Sequence, residues 1–162
     1  MASQSQDSID LIPTGGQLSA RIFENPNIGL PPTLFFDIEI SLQPFKFEDE
    51  LQETSVYLNF IDFGVRDWKM LSGSNFAFPK NPENGYIDGS MYLGGAHNPA
   101  DATRIRFGDL VGNILPASID IEFDFTYEGP AELGIIKVTW DVDLELNPQD
   151  LDRVMDEARP IT

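Results

Sequence analysis

The chain has 162 residues and a mass of 18.1 kDa, no cysteine, and 27 acidic against 10 basic residues, for a formal net charge of −17 at pH 7. That length suits one domain with its own core, and 41% hydrophobic residues, twelve of them Phe, are too many for a disordered chain. The missing cysteines exclude a disulfide framework, thiolate metal sites and cysteine nucleophiles, and so negative a field repels phosphate backbones and anionic membranes, so neither nucleic acid nor a membrane surface is an expected partner.

Residues 1–16, opening "MASQSQDSID", form an expected flexible N-terminus. The opening has neither a basic n-region nor an apolar h-region, so a cytoplasmic protein is expected, barring export without a cleavable signal. "QLSARIFE" at 17–24 places Leu18, Ala20 and Ile22 on one side of a first strand, and "NPNIGLPP" interrupts the chain. In "LFFDIEISL" (34–42), Leu34, Phe36, Ile38, Ile40 and Leu42 share one face, with Asp37, Glu39 and Ser41 on the other, as in a half-buried strand. "FKFEDELQET" is charged and fits either a long connection or a short helix. "SVYLNFIDF" (55–63) is apolar at both parities, the pattern of a central strand covered on both sides. "DWKML" and "NFAF" suggest shorter strands, and "PKNPENG" is dense in turn formers. Asp88-Gly89 in "YIDGSMYL" suits a tight turn or bulge, "GGAHNPADA" a loop, and "TRIRF" a strand with Arg104 and Arg106 on one face.

The strongest pattern is "SIDIEFDFTYEGPAELGIIKVTWDVDLEL" (118–146). Ile119, Ile121, Phe123, Phe125 and Tyr127 face one way along its first half, and Ile136, Val138, Trp140, Val142, Leu144 and Leu146 along its second, which makes a hairpin around "EGPAELG". Pairing Tyr127 with Ile136 sets Glu122 against Asp141 and Asp120 against Asp143, a repulsive register. A slip of two residues pairs Asp124 with Lys137 and Glu122 with Thr139, still leaves Asp120 beside Asp141, and is the register that electrostatics favours. "NPQDLDRVMDEA" then gives a short helix, with Asn147 as N-cap, Pro148 at N1, and Leu151, Val154, Met155 and Ala158 on one face.

Eight to ten strands at roughly ten-residue spacing, almost without helical periodicity between them, predict an all-β fold: an antiparallel β-sandwich or barrel with a short C-terminal helix. The expected layout is a flexible 1–16, an antiparallel β domain over 17–147, and a helix and tail over 148–162.

No constellation for catalysis emerges. His97 is the only histidine, so a multi-His metal site is excluded, and no G-x-S-x-G elbow pairs with it, although its setting four residues before Asp101 could suit a general base. G-x-G-x-x-G and P-loop patterns are absent. The acids alternate toward water rather than sitting in apolar pockets, which argues against a glycosidase pair, and they do not follow EF-hand spacing. No cofactor or metal is expected. Arg104 and Arg106 fit better as balance to an acidic neighbour than as a phosphate grip.

Taken in order, "YIDGSMYL", "AHNPAD", "RIRFG" and "FDFTYEG", between residues 86 and 129, resemble a pattern among small bacterial proteins of the polymorphic-toxin immunity kind. The resemblance implies a noncatalytic cytoplasmic protein that binds and neutralises one toxin; it transfers no site residues. Independently, the alternation gives an acidic sheet face formed by Asp120, Glu122, Asp124, Asp141 and Asp143, joined by Asp37 and Glu39 if their strand lies adjacent. Such a face is either a docking surface for a basic protein partner or simply the hydrated side of a sheet. The expected function is an acidic protein-binding module, and the alternative a small-ligand or carbohydrate-binding β-sandwich with exposed aromatics, for which Trp68 and Trp140 are the large candidates and Trp140 sits on the core parity.

Overall fold

A computed structural model describes residues 9–161. Met1–Ser8 and Thr162 lie outside the described residues, and within the remainder of the expected flexible span 1–16, residues 13–16 are already strand. The elements are strands β1 (Pro13–Asn25), β2 (Leu30–Leu42), β3 (Phe45–Phe47), β4 (Glu50–Gln52), β5 (Ser55–Ile61), β6 (Asn75–Ala77), β7 (Asp88–Leu93), β8 (Ala96–Phe107), β9 (Ile114–Asp124) and β10 (Ile135–Leu146), then helix α1 (Pro148–Ala158).

Seven strands in the order β8-β7-β5-β2-β1-β10-β9 close on themselves through β8–β9, with β6 as a branch on β8. The fold is therefore a closed barrel, not a sandwich, and it is not wholly antiparallel: β1 and β10 run parallel. The parity of the chain requires this. Around the ring each strand neighbours the next in sequence and reverses direction, so the first and seventh point the same way when the ring closes. That seam is short, from Gly16↔Leu144 to Leu18↔Leu146.

The period-two pattern decides what fills the barrel. Leu34, Phe36, Ile38, Ile40 and Leu42 from β2, Leu115, Ala117, Ile119, Ile121 and Phe123 from β9, and Trp140, Val142, Leu144 and Leu146 from β10 are all buried, each large one contributing about 1.5–3 kcal/mol over its exposed state. Trp68 and Trp140 are both in this core. Helix α1 forms as its sequence requires: the Asn147 side chain accepts from Asp150 N–H, and Leu151, Val154, Met155 and Ala158 are buried. It packs beside β1, where Trp68 Nε1 donates to Asp152 Oδ1 at 2.9 Å. No helix among the described residues is long and apolar enough to cross a membrane.

Five local expectations change. "FKFEDELQET" is neither connection nor helix but the β3–β4 hairpin, turning on Glu48 and Asp49 at φ 52° and 64°, with Phe45 and Phe47 buried. "DWKML" holds a 3-10 turn, Trp68–Leu71, capped by Asp67, whose carboxylate accepts from Lys69 N–H. "GGAHNPADA" is a tight turn at Gly94-Gly95, both with positive φ, running straight into β8, which places His97 on a strand. Asp88-Gly89 opens β7 rather than turning the chain. Finally, β5 is not covered on both sides. Its register against β2 jumps from Ile38↔Leu58 to Phe36↔Ile61, so an extra residue at a bulge switches the inward parity from Val56 and Leu58 to Ile61.

Candidate functional site

The β9–β10 hairpin carries most of the predicted acids, and its register differs from the expected one by a further two residues. Lys137 stands opposite Glu122, Thr139 opposite Asp120, and Asp141 opposite Ser118. The cause lies in the connection. Phe125 keeps its expected place in the core, but a ten-residue span with a 3-10 turn at Ala131–Leu133 then precedes β10, leaving Tyr127 in solvent rather than on the apolar face. No two acids face each other across this pair, so the acid-on-acid repulsion of the expected registers is absent from the observed one.

The structure divides the predicted site into three environments. Asp120, Glu122 and Asp124 belong to a network in which most charge is matched. Asp120 Oδ1 accepts from Thr139 Oγ1 at 2.8 Å and lies 3.6 Å from Arg106 Nη2. Glu122 accepts from Lys80 Nζ at 2.5 Å and lies 3.7 Å from Lys137 Nζ. Asp124 accepts from the Thr126 N–H and hydroxyl, which hold its carboxyl below the ordinary range. Asp101 of β8, opposite Glu122 in register, accepts from Asn81 N–H; its partial burial pushes its carboxyl upward. The hydrogen bond and charge of Glu122 push the exposed Lys80 ammonium upward. Residues 79–85 are tied to the barrel wall through Lys80 and Asn81.

The second environment is the β5 bulge. Asp37 Oδ1 accepts from Arg21 Nη2 at 2.9 Å and from Phe60 N–H at 3.1 Å. Phe60 holds φ at 59°, a conformation costly for an aromatic residue. Arg21 stacks 4.0 Å above its ring, with Phe23 and Phe35 edge-on around it. Asp37 is thus a structural clamp. Asp37→Ala is expected to cost roughly 1–3 kcal/mol, and Asp37→Asn, which keeps an oxygen for the Phe60 N–H, clearly less; chemical denaturation of both variants checks this.

The third environment is the open one. Asp141, Asp143 and Glu145 face outward on β10 and have no hydrogen bond or ion pair with any described residue. They line a surface groove of about 970 Å³ with Gln17, Ser41, Ser118 and Arg106, bordered by the first residues of β1 and the end of β8. Asp37 and Glu39 do not lie on an adjacent strand, because β1 separates β2 from β10. Glu39 nevertheless extends the row, since Gln17 is paired with Glu39 on one side and with Glu145 on the other. Four hydrated carboxylates thus follow one another from β10 to β2 without a partner among the described residues, while Asp120, Glu122, Asp124 and Asp37 have theirs.

Glu145 has the parity of Asp141 and Asp143 and could have been taken from the sequence with them. Gln17 could not, because its place depends on the parallel seam. His97 packs edge-on against Tyr92, centroids 5.2 Å apart, and has no hydrogen bond to Asp101. Among the described residues no group of three or more His, Asp or Glu is arranged to hold a metal ion. No family model, curated protein or solved structure matches the chain.

Proposed function

We propose that the chain is a noncatalytic binding module for a basic protein, engaged through Asp141, Asp143, Glu145 and Glu39 around the groove. The observation that carries this reading is the contrast in pairing: these four carboxylates have no protein partner among the described residues, whereas their neighbours on β9 do. Free carboxylates on a chain of net charge −17 accelerate capture of a cationic partner and supply its contacts without first breaking internal pairs. The resemblance of residues 86–129 to immunity-type proteins agrees with such a role and makes a toxin the partner of first choice. Burial of both Trp residues removes the two largest candidate rings of the carbohydrate alternative, and the exposed Tyr57, Tyr92 and Tyr127 do not line the groove.

The test compares three proteins in pull-downs from the native host at low and high salt: the natural chain, a groove variant with Asp141→Lys, Asp143→Lys and Glu145→Lys, and a control with Glu83→Lys, Glu128→Lys and Glu132→Lys, none of which lines the groove. A partner should bind the natural chain and the control at low salt, weaken with salt, and bind the groove variant at least about tenfold less well. Equal recovery on all three, or no partner at low salt, overturns the proposal.

A further inference from the structure

The parallel seam leaves most of one strand edge without a ladder. β10 pairs with β9 along nearly its whole length, but with β1 only at residues 144–146. At Leu18–Ala20, β1 lies beside α1. Before Leu144, residues 135–143 of β10 form a ladder with β9 alone among the described residues, and residues 9–12, which lead into β1, form none with β10. A strand edge that has no ladder among the described residues offers a row of backbone N–H and C=O groups to an incoming strand.

The side chains along this edge select what would add to it. On the inward parity, Trp140 and Val142 are buried, whereas Ile136 and Val138 are only partly covered. On the outward parity stand Lys137, Thr139, Asp141 and Asp143, the two acids at the end that opens into the groove. Taking up the reading of the groove acids as the binding element, we infer that the partner enters as an added β-strand: an extended segment of alternating residues, apolar ones completing the cover over Ile136 and Val138, basic ones opposite Asp141 and Asp143. A second copy of this chain is disfavoured as the occupant, because it brings another −17 to the same face. Cross-strand charge pairs and register then give such a binder specificity that a hydrated acidic patch lacks.

Two synthetic peptides of identical composition test this on the full chain, one alternating Lys and Val, the other with the Lys and Val residues in separate blocks. Fluorescence anisotropy at low salt measures affinity, and amide hydrogen exchange followed by NMR locates protection. The alternating peptide should bind at least about tenfold more tightly than the blocked one and slow exchange at residues 135–143, since only it can satisfy the edge and both faces together. Equal binding of both peptides without protection at 135–143 overturns strand addition and leaves the groove acids as a purely electrostatic site. Binding of neither, or binding unaffected by Asp141→Lys with Asp143→Lys, overturns the groove reading as well. Protection of the same amides by concentration alone, with the chain sedimenting as a dimer, means that the edge takes a second copy and also overturns the proposal.

Discussion

Asn98→Asp is expected to destabilise the protein by about 3–5 kcal/mol at neutral pH, because it places a carboxylate where the interior supplies only acceptors. Asn98 is fully buried in β8, and its Nδ2 donates toward Met91 O, Leu93 O and Ala96 O at 3.1–3.2 Å, which clamps the β7–β8 turn from inside the barrel. Its Oδ1 has no hydrogen-bond partner and points at Gly129, where a Cβ would sit 1.9 Å from it. The amide is thus held in one orientation: reversal would set its oxygen against three carbonyls. At about 2–4 °C per kcal/mol for a domain of this size, the variant should melt on the order of 10 °C lower.

The sign of its pH dependence follows. A carboxyl in that position is favoured neutral, since its O–H can donate to one of the carbonyls, so its folded pKa lies above the unfolded value of about 3.9. Its contribution to stability is fully present below that value and lost as pH rises through the folded pKa. The gap in melting temperature between the natural chain and Asn98→Asp should therefore be smaller at pH 4 than at pH 7. Asn98→Leu, which removes the donors without adding a charge, should cost about 1–3 kcal/mol with the same gap at both pH values. Thermal melts of the three proteins at both pH values decide the matter, and equal gaps for the Asp variant would show that the three carbonyls do not face the site.

How far the sequence carried depends on the range of each physical effect. Alternation is local, so the inward faces of β2, β9 and β10, and the capped helix after Asn147, followed from residue spacing alone. Closure is global: that Leu18 pairs with Leu146, and β8 with β9, depends on strands distant in sequence. The register of the last hairpin lay between these limits. Electrostatics disfavoured acids facing acids but still left Asp120 beside Asp141; the ten residues spent in the connection, which put Tyr127 in solvent, could not be counted from alternation, which had kept Tyr127 on the apolar face. β5 shows the same limit. One bulge residue, Phe60, put apolar side chains on both parities and imitated a doubly covered strand.

The site was legible in composition and parity, but not in pairing. All seven expected acids are at least partly exposed, yet whether each has a partner depends on residues far along the chain: Lys80 reaches Glu122, Arg106 reaches Asp120, and Arg21 and the Phe60 N–H reach Asp37. Only knowledge of those neighbours separates Asp141, Asp143 and Glu39, which have none among the described residues, from the rest. The acids without partners are therefore a subset that the alternation alone could not select.

Gly89→Val is expected to cost more than about 3 kcal/mol and to leave little folded protein at 37 °C, because the ring closes at this residue. β8 pairs with β7 through Pro99, opposite Ser90, and from Ala100 onward with β9, from Ala100↔Phe123 to Phe107↔Ala117. At the changeover the Ala100 carbonyl approaches β7 so closely that a Cβ on Gly89 would lie 2.0 Å from its oxygen and 3.0 Å from Leu58 Cδ2. The oxygen belongs to backbone and cannot rotate away as a side chain could, so any larger residue must push β7 and β8 apart where the barrel closes. Gly89→Ala should already lower the melting temperature by several degrees, and the damage should appear in exchange of the β7 and β8 amides before that of α1, which packs at β1. Both variants melting within a degree or so of the natural chain would show that the strands separate freely at that point, and with it that the ring is not held shut there.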